Sequence, residues 1–594
     1  MKPIDRRGFL FTLGGTLAAA SALKSVSGAI LPNLANSSFT NRDKTDNKAC
    51  WLDVSIPFVI EDPSKNYHTE IFLTSDCFPG LDGYETGGQE NKYEVLLYDV
   101  NGKLLTSPKD KTNIVTVPAM RPTMLKCRDF VGNQQFFGGM RLRLQPSGLD
   151  HYADLFSAAY IRWNFNGKFA TVHANPDPLQ FLSGKFYYSM PIFPATEYGC
   201  VLSLFNPYDD ASVGSIKIVD SRAQILHEQA YKIDAHSSAL VSMHTGALGY
   251  KPNDIFGTLS AAKGLSTSAN VIIENDAKAP KSFAYMMVSN KSGELFSTEH
   301  PLFQGEYDIQ SNSESPFDTG GRMTPKGLLF SPLIFSSRKF RGVELNTRMH
   351  LSVGRPLKEN LWMLPFISDA KGDVAWTSTN DPKFSNIAGA FRDRDTLHLK
   401  TFQSASMDTR DMTIAKDFSG GFGLAVSPES THTLMKVEIR AENWNTAAFT
   451  HFRPGGQLSK GYLKAKDRGE TLTDYVIAGV RVERSATKDL DCLLAIMNID
   501  MEEQKGGSPT LQVFGSKGLL TSVKVGDFPA LACRHVLLSE LIPNINTSDM
   551  VMMLRLIDFK TRMIMSAIHI DFKGRTLALD HGSDRFSTYL DYGC

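Results

Sequence analysis

Cysteine is scarce in this chain of 594 residues, and neither sign of charge is in excess. The seven cysteines, at positions 50, 77, 127, 200, 492, 533 and 594, contain no Cys-x-x-Cys pair and total an odd number. They form no disulfide framework, which excludes a disulfide-stapled miniature; Cys594 is the natural odd thiol, and sequence alone assigns no pairing among the rest. Lys plus Arg and Asp plus Glu each number 63, so the formal net charge is zero and the basic footprint of a nucleic-acid binder is missing. Beyond the N-terminal region no apolar run approaches the ~18 residues of a spanning helix, so no transmembrane segment is expected in the mature chain.

The familiar catalytic signatures are missing as well. The chain has no Gly-x-x-x-x-Gly-Lys-Ser/Thr, no His-Glu-x-x-His, no Gly-x-Ser-x-Gly and no Cys-x-x-Cys-His. Gly421-Phe-Gly423 starts like a dinucleotide loop but has no third glycine, and it reads as a strand with a bulge or tight turn. A multicopper oxidase needs paired His-x-His ligands and a Cys bracketed by His. Here His398 and His432 are lone and Cys533 has only His535 beside it.

The strongest motif is at the start: Asp5-Arg6-Arg7-Gly8-Phe9-Leu10 is followed by a Gly/Ala-rich, mildly apolar run to Leu23. It resembles a twin-arginine (Tat) signal peptide. The resemblance implies that Arg6 and Arg7 are read by the twin-arginine translocase and that Phe9 and Leu10 fill the apolar positions after them. Asp5 stands where Ser or Thr is commoner, and Phe11 where Lys is usual. Ser27-Gly28-Ala29 offers small residues to a signal peptidase, which predicts cleavage after Ala29 and a mature chain starting at Ile30. That chain would carry 59 basic and 62 acidic side chains, a net charge of −3. The expected location is the periplasm or the cell exterior.

Length alone predicts about four domains. Composition, with 42% hydrophobic and 21% charged residues, is that of a globular protein. Residues 30–50 are polar enough to read as a flexible tether, and residues 306–326 as a linker between two halves. Within the halves a pattern recurs. A strand–turn–strand occurs at 93–107, where Asn101-Gly102 is a strong hairpin signal, at 215–226 and at 511–522. A second hairpin follows and ends in His173, His300 and His581, with a weaker copy ending in His451. From Leu104, Ile225 and Leu519 to those histidines the distances are 69, 75 and 62 residues. Ser55-Ile-Pro-Phe58, Ser189-Met-Pro-Ile-Phe193 and Ser331-Pro-Leu-Ile-Phe335 open the units, with no copy in the last; proline there suits an edge strand or a strand start.

The expected fold is therefore all-β: tandem antiparallel sandwiches, about four repeats in two halves, at 51–178, 179–305, 327–455 and 456–594. The best helical candidate is Arg534–Ile542. One unit at a time, this outline of a strand pair, a stretch such as Val115-Thr-Val-Pro-Ala119 and a last strand closing on His resembles the small β-sandwich of the sensory rhodopsin transducer family. That likeness implies a sandwich fold and a binding or interaction role, and carries no site residue.

Three groups of residues are candidates for chemistry. The terminal histidines could be ligands or pH switches, but one per unit at a strand end reads more simply as a side chain hydrogen-bonding a turn or the next domain. Met563, Met565 and His569 share parity on one strand, with Met550, Met552 and Met553 on the strand before; thioethers plus imidazole select Cu(I), while a Met-rich core is the simpler reading. Trp163 and Trp444 occupy matching places in their hairpins and could stack on sugars, or be core or interdomain residues. Asp82-Gly83 and Asn206–Asp210 read as ordinary turns rather than calcium loops. The functional expectation is an exported, non-enzymatic binding or assembly protein without catalytic residues or cofactor, its partner an unidentified protein or polysaccharide. The alternative is a Tat-exported enzyme or copper-handling protein with a site between domains.

Overall fold

A computed structural model describes residues 52–74, 91–105, 113–145, 159–174, 186–192, 197–242, 254–258, 269–305, 328–356, 361–381, 391–426, 433–454, 473–500, 506–545 and 551–584, save for scattered positions within them. The signal region, the tether and the linker lie outside the described residues. The described chain is nearly all strand, in several antiparallel sheets; its two helices, Arg128–Val131 and Leu538–Leu541, are four residues each. The helical candidate at 534–542 is thus mostly strand, Cys533–Leu537, with one helical turn after it.

Each sheet draws its strands from one of four stretches, 52–174, 186–305, 328–454 or 473–584. The fourth shows the plan most simply. One sheet carries the hairpin Thr510–Gly515/Gly518–Lys524, then Met552–Asp558, then the opening strand Thr473–Val480. The other carries Asp489–Asn498 and the closing hairpin Met563–Asp571/Thr576–His581. The same order recurs in the other units, with closing hairpins Ala159–Phe165/Lys168–Ala174, Phe283–Ser289/Leu295–Glu299 and Thr433–Ala441/Ala447–His451. In the first unit the two layers merge into one eight-stranded sheet, because Leu52–Asp62 pairs with Phe136–Gln145 along most of its length and with Tyr67–Leu73 at Glu61 and Asp62.

The opening prolines do not mark edge strands. Leu328–Ser336 and Phe186–Ile192 have partners on both sides, and register breaks between Ser331 and Ile334, and between Ile56 and Val59, place Pro332 and Pro57 in bulges, where the missing N–H costs no ladder bond. The fourth unit bulges too, between Ala478 and Val480, using Gly479 at φ +79° instead of proline. Each of these bulges turns a carbonyl toward a neighbouring unit. Ser203 Oγ of the second unit donates to Pro57 O (2.6 Å), His535 Nε2 of the fourth to Pro332 O (2.6 Å), and Arg162 Nη2 of the first to Gly479 O (2.6 Å).

With the Arg348–Glu197 pair between the third and second units, those contacts close a ring of four units. The final strands, Lys168–Ala174, Leu295–Glu299, Ala447–His451 and Thr576–His581, are the inner edges of their sheets, and each packs against two of the others. Edges that would otherwise offer unpaired backbone are covered by one another. The apolar cores cross the boundaries as well. Phe72 and Tyr160 of the first unit pack with Phe330 of the third and Tyr475 of the fourth, Tyr285 and Met287 of the second join the first, and Ala447 and Phe449 of the third join the second. A buried aromatic side chain contributes about 1.5–3 kcal/mol, so ring closure is driven by the force that folds each unit.

Candidate functional site

At the middle of the ring three histidines from three units meet. His173 lies at the end of Lys168–Ala174, His300 directly follows Leu295–Glu299, and His581 ends Thr576–His581. One ring nitrogen of each lies within 4.8 Å of the others, and the residues are 2%, 7% and 1% exposed. Ring centroids are 4.1 Å apart for His173–His581, 4.8 Å for His173–His300 and 6.4 Å for His300–His581. The strand ending at His451 pairs with Lys436 beside them; the His451 side chain lies outside the described residues.

Acidic and polar groups surround the imidazoles. His173 Nδ1 bonds Asp580 Oδ1 of the fourth unit at 3.0 Å, and His581 Nδ1 bonds the Gly582 carbonyl at 2.9 Å. Both acceptors require the proton on Nδ1 in the neutral ring, which puts the lone pair on Nε2. Buried Lys436 of the third unit donates from Nζ to Glu299 Oε1 (2.7 Å) and to His300 O (2.6 Å). Burial pushes the Glu299 carboxyl up to about 7 against the opposing pull of Lys436, and burial pushes Lys436 down. Burial also raises the Tyr285 hydroxyl far above its ordinary value, with Asp580 and Glu299 adding to the effect. Each of the two carboxyl groups beside the imidazoles thus has a basic partner, Asp580 in His173 and Glu299 in Lys436.

The expected role of these histidines, binding a turn or the next domain, is present in the His581–Gly582 and His173–Asp580 contacts. Their convergence was not legible, because regular spacing along a chain does not reveal that the units close on one axis.

A second feature is a cleft of about 510 Å³ between the second and third units, lined by Glu197, Tyr198, Asn290, Arg410, Arg440 and Trp444 among others. Trp444 is half-buried, leaning on the core of the third unit while lining the cleft. Its supposed counterpart Trp163 is wholly buried and donates from Nε1 to Phe58 O at 3.0 Å. Trp163 sits within a strand, whereas Trp444 is in the turn after Ala441, so the two places do not match. Beneath the cleft Glu438 accepts from Tyr198 Oη (2.8 Å) and pairs with His350 Nε2 (2.8 Å) and Arg440, and Arg348 bridges Glu197 and Asp408.

Met563 and Met565 lie in one apolar core with Met552 and Met553. His569, further along the strand, is fully buried with its ring edge-on to Phe169, and burial, with Arg162 and Arg481 next, pushes it down to about 3. Met550 lies outside the described residues. Gly421 and Gly423 belong to the strand Phe418–Val426, which pairs regularly with Leu361–Ser368 and faces the bulge between Ser331 and Ile334 at Gly421; a Cβ at Gly421 would meet Met497 Sδ at 2.5 Å, and one at Gly423 the Phe366 ring at 2.0 Å. Their glycines answer to close packing and not to a turn. Asn206 is buried and donates from Nδ2 to three carbonyls, those of Asp210, Ile233 and Asp234, as a turn residue does; Asp82-Gly83 lies outside the described residues. Cys127, Cys200, Cys492 and Cys533 are buried, Cys127, Cys492 and Cys533 as free thiols, and Cys50, Cys77 and Cys594 lie outside the described residues.

Fold and site together define a class: a ring of four β-sandwiches closed on a buried histidine cluster. Compared with known protein families and with curated proteins, the sequence matches none. Among the described residues no helix is long and apolar enough to cross a membrane.

Proposed function

We propose that this chain is an exported, non-enzymatic binding protein of the periplasm or cell surface, carried there by the twin-arginine translocase, whose ligand-facing surface is the cleft between the second and third units. The cleft is the observation that carries this reading. It is concave, it joins two units as ligand sites often do, and it sets a half-buried indole beside guanidinium, carboxylate and amide groups. A flat apolar ring flanked by hydrogen-bonding side chains suits a polysaccharide, whose sugar faces stack while its hydroxyls bond. Ring closure supports the binding role by holding the two walls in register through Arg348–Glu197 and Arg440–Glu197.

The test has two parts. The denatured mass of the protein recovered from the extracytoplasmic fraction should begin at Ile30, and retention of Met1 would overturn the export reading. Titration with polysaccharides from the producing cell's own envelope should show binding that Trp444→Ala reduces at least tenfold without changing the circular dichroism. Binding unaffected by that substitution would remove the cleft from the proposal.

A further inference from the structure

We propose that the ring centre is a structural site for one zinc-class divalent cation, held by His173, His300 and His581. The inference rests on the histidine cluster and is independent of the binding role assigned to the cleft. Borderline imidazole ligands suit zinc(II) and, by the same donor chemistry, copper(II) or cobalt(II); among the described residues the gathered donors are imidazole nitrogens, not the thiolates or thioethers that favour copper(I) or the oxygen ligands that favour calcium or magnesium.

Three observations support it. The three rings come from chain segments separated by more than a hundred residues, yet their nitrogens gather within 4.8 Å in a buried place. His173 and His581 each have Nδ1 engaged by an acceptor, Asp580 Oδ1 and Gly582 O, the outer-shell arrangement that orients Nε2 toward a metal and raises its basicity. Finally, the Asp580 carboxyl packs against His173, an oxygen-bearing side chain beside the place a cation would take.

Zinc–nitrogen bonds near 2.0–2.1 Å put tetrahedral ligand atoms about 3.3 Å apart, so binding draws the rings together by up to about 1.5 Å. Because each ligand belongs to a different unit, that contraction would tighten the first, second and fourth units against one another. The competing explanation is a proton on His173 forming a metal-free ion pair with Asp580.

The experiment uses the whole mature protein, stripped with chelator and titrated with zinc(II) while native mass spectrometry reads stoichiometry and thermal denaturation reads stability. Expected is one zinc per chain, a melting temperature that rises and saturates at one equivalent, and a cobalt(II) derivative with the visible bands of a tetrahedral nitrogen site. His173→Gln and His300→Gln should each weaken zinc binding more than a hundredfold, and Asp580→Asn by ten- to a hundredfold. His227→Gln, outside the cluster, should change nothing. Should the glutamine variants misfold, competition between wild-type protein and a chromophoric zinc chelator still gives the affinity, and the cobalt spectrum still identifies the ligands. Absence of stoichiometric zinc uptake by wild-type protein, or uptake indifferent to His173→Gln and His300→Gln, overturns the proposal.

Discussion

Replacing Glu438 with Gln tests how far the junction of the second and third units depends on charge. Glu438 is fully buried and accepts from Tyr198 and His350, and Arg440 and Arg348 lie beside it. Around it three acids, Glu438, Glu197 and Asp408, meet three guanidinium groups, Arg348, Arg440 and Arg410, so the cluster is neutral. Glu438→Gln keeps the shape and one accepting oxygen but leaves a net positive charge in a partly dry place. Breaking a buried pair by removing one partner costs about 3–5 kcal/mol; with the amide still bonding Tyr198, we expect about 3 kcal/mol. Urea unfolding at pH 7, followed by tryptophan fluorescence and circular dichroism, should show the midpoint lowered at unchanged slope. Adding Arg440→Met should recover about 1–2 kcal/mol, since it removes the uncompensated cation. A loss below about 1 kcal/mol, or strict additivity of the two substitutions, would refute the reasoning. The pH dependence gives a second reading. Burial pushes the Glu438 carboxyl up, but the bond from His350 and the charges of Arg440 and Arg348 outweigh burial and hold it well below its ordinary 4.5. Its contribution is therefore present above about pH 4.5 and lost as pH falls further, and this part of the acid sensitivity should vanish in Glu438→Gln.

Other expectations follow from single contacts. Burial, opposed by the bond to Pro332 O, pushes His535 down to about 4 from 6.5; its neutral form contributes stability above pH 6.5 that is lost as pH falls through 4. At about 1.4 kcal/mol per tenfold change in proton affinity this reaches about 3 kcal/mol, and His535→Gln should flatten the stability–pH curve in that window. Gly479→Ala combines a positive φ with a Cβ 2.8 Å from the Phe72 ring, so it should cost about 1–3 kcal/mol and loosen the first unit from the fourth, seen as faster hydrogen exchange at Tyr160–Arg162. Met563→Leu with Met565→Leu should cost under about 1.5 kcal/mol each, as a volume-conserving core change, and leave the metal content of the purified protein as it was.

Much of the local architecture was written in the sequence. Period-two alternation and turn residues located the hairpins at Ala159–Ala174, Ser212–Ile233, Thr510–Lys524 and Met563–His581, because those signals act over a few residues. The repeated Ser-x-Pro or Ser-Pro opening marked a real feature, but proline's missing donor is compatible with both an edge and a bulge, and only the partners on either side of Leu328–Ser336 decide between them. The same bulge in the fourth unit uses Gly479, which carries no proline signal at all. Trp163 and Trp444 looked alike by position, yet one fills a core and the other lines a cleft, since burial depends on what packs from the next unit.

By itself, then, the sequence determined an all-β chain of recurring sandwich units, each ending its last hairpin in a histidine; these properties follow from short-range patterning that every unit carries internally. Only the tertiary structure decided that the units close into a ring, that their final strands cover one another's edges, and that His173, His300 and His581 meet beside Asp580. The physical reason is that closure depends on complementary surfaces hundreds of residues apart, such as Phe72 against Gly479 and Tyr160 against Val476. No spacing along the chain encodes which of four similar surfaces another will meet.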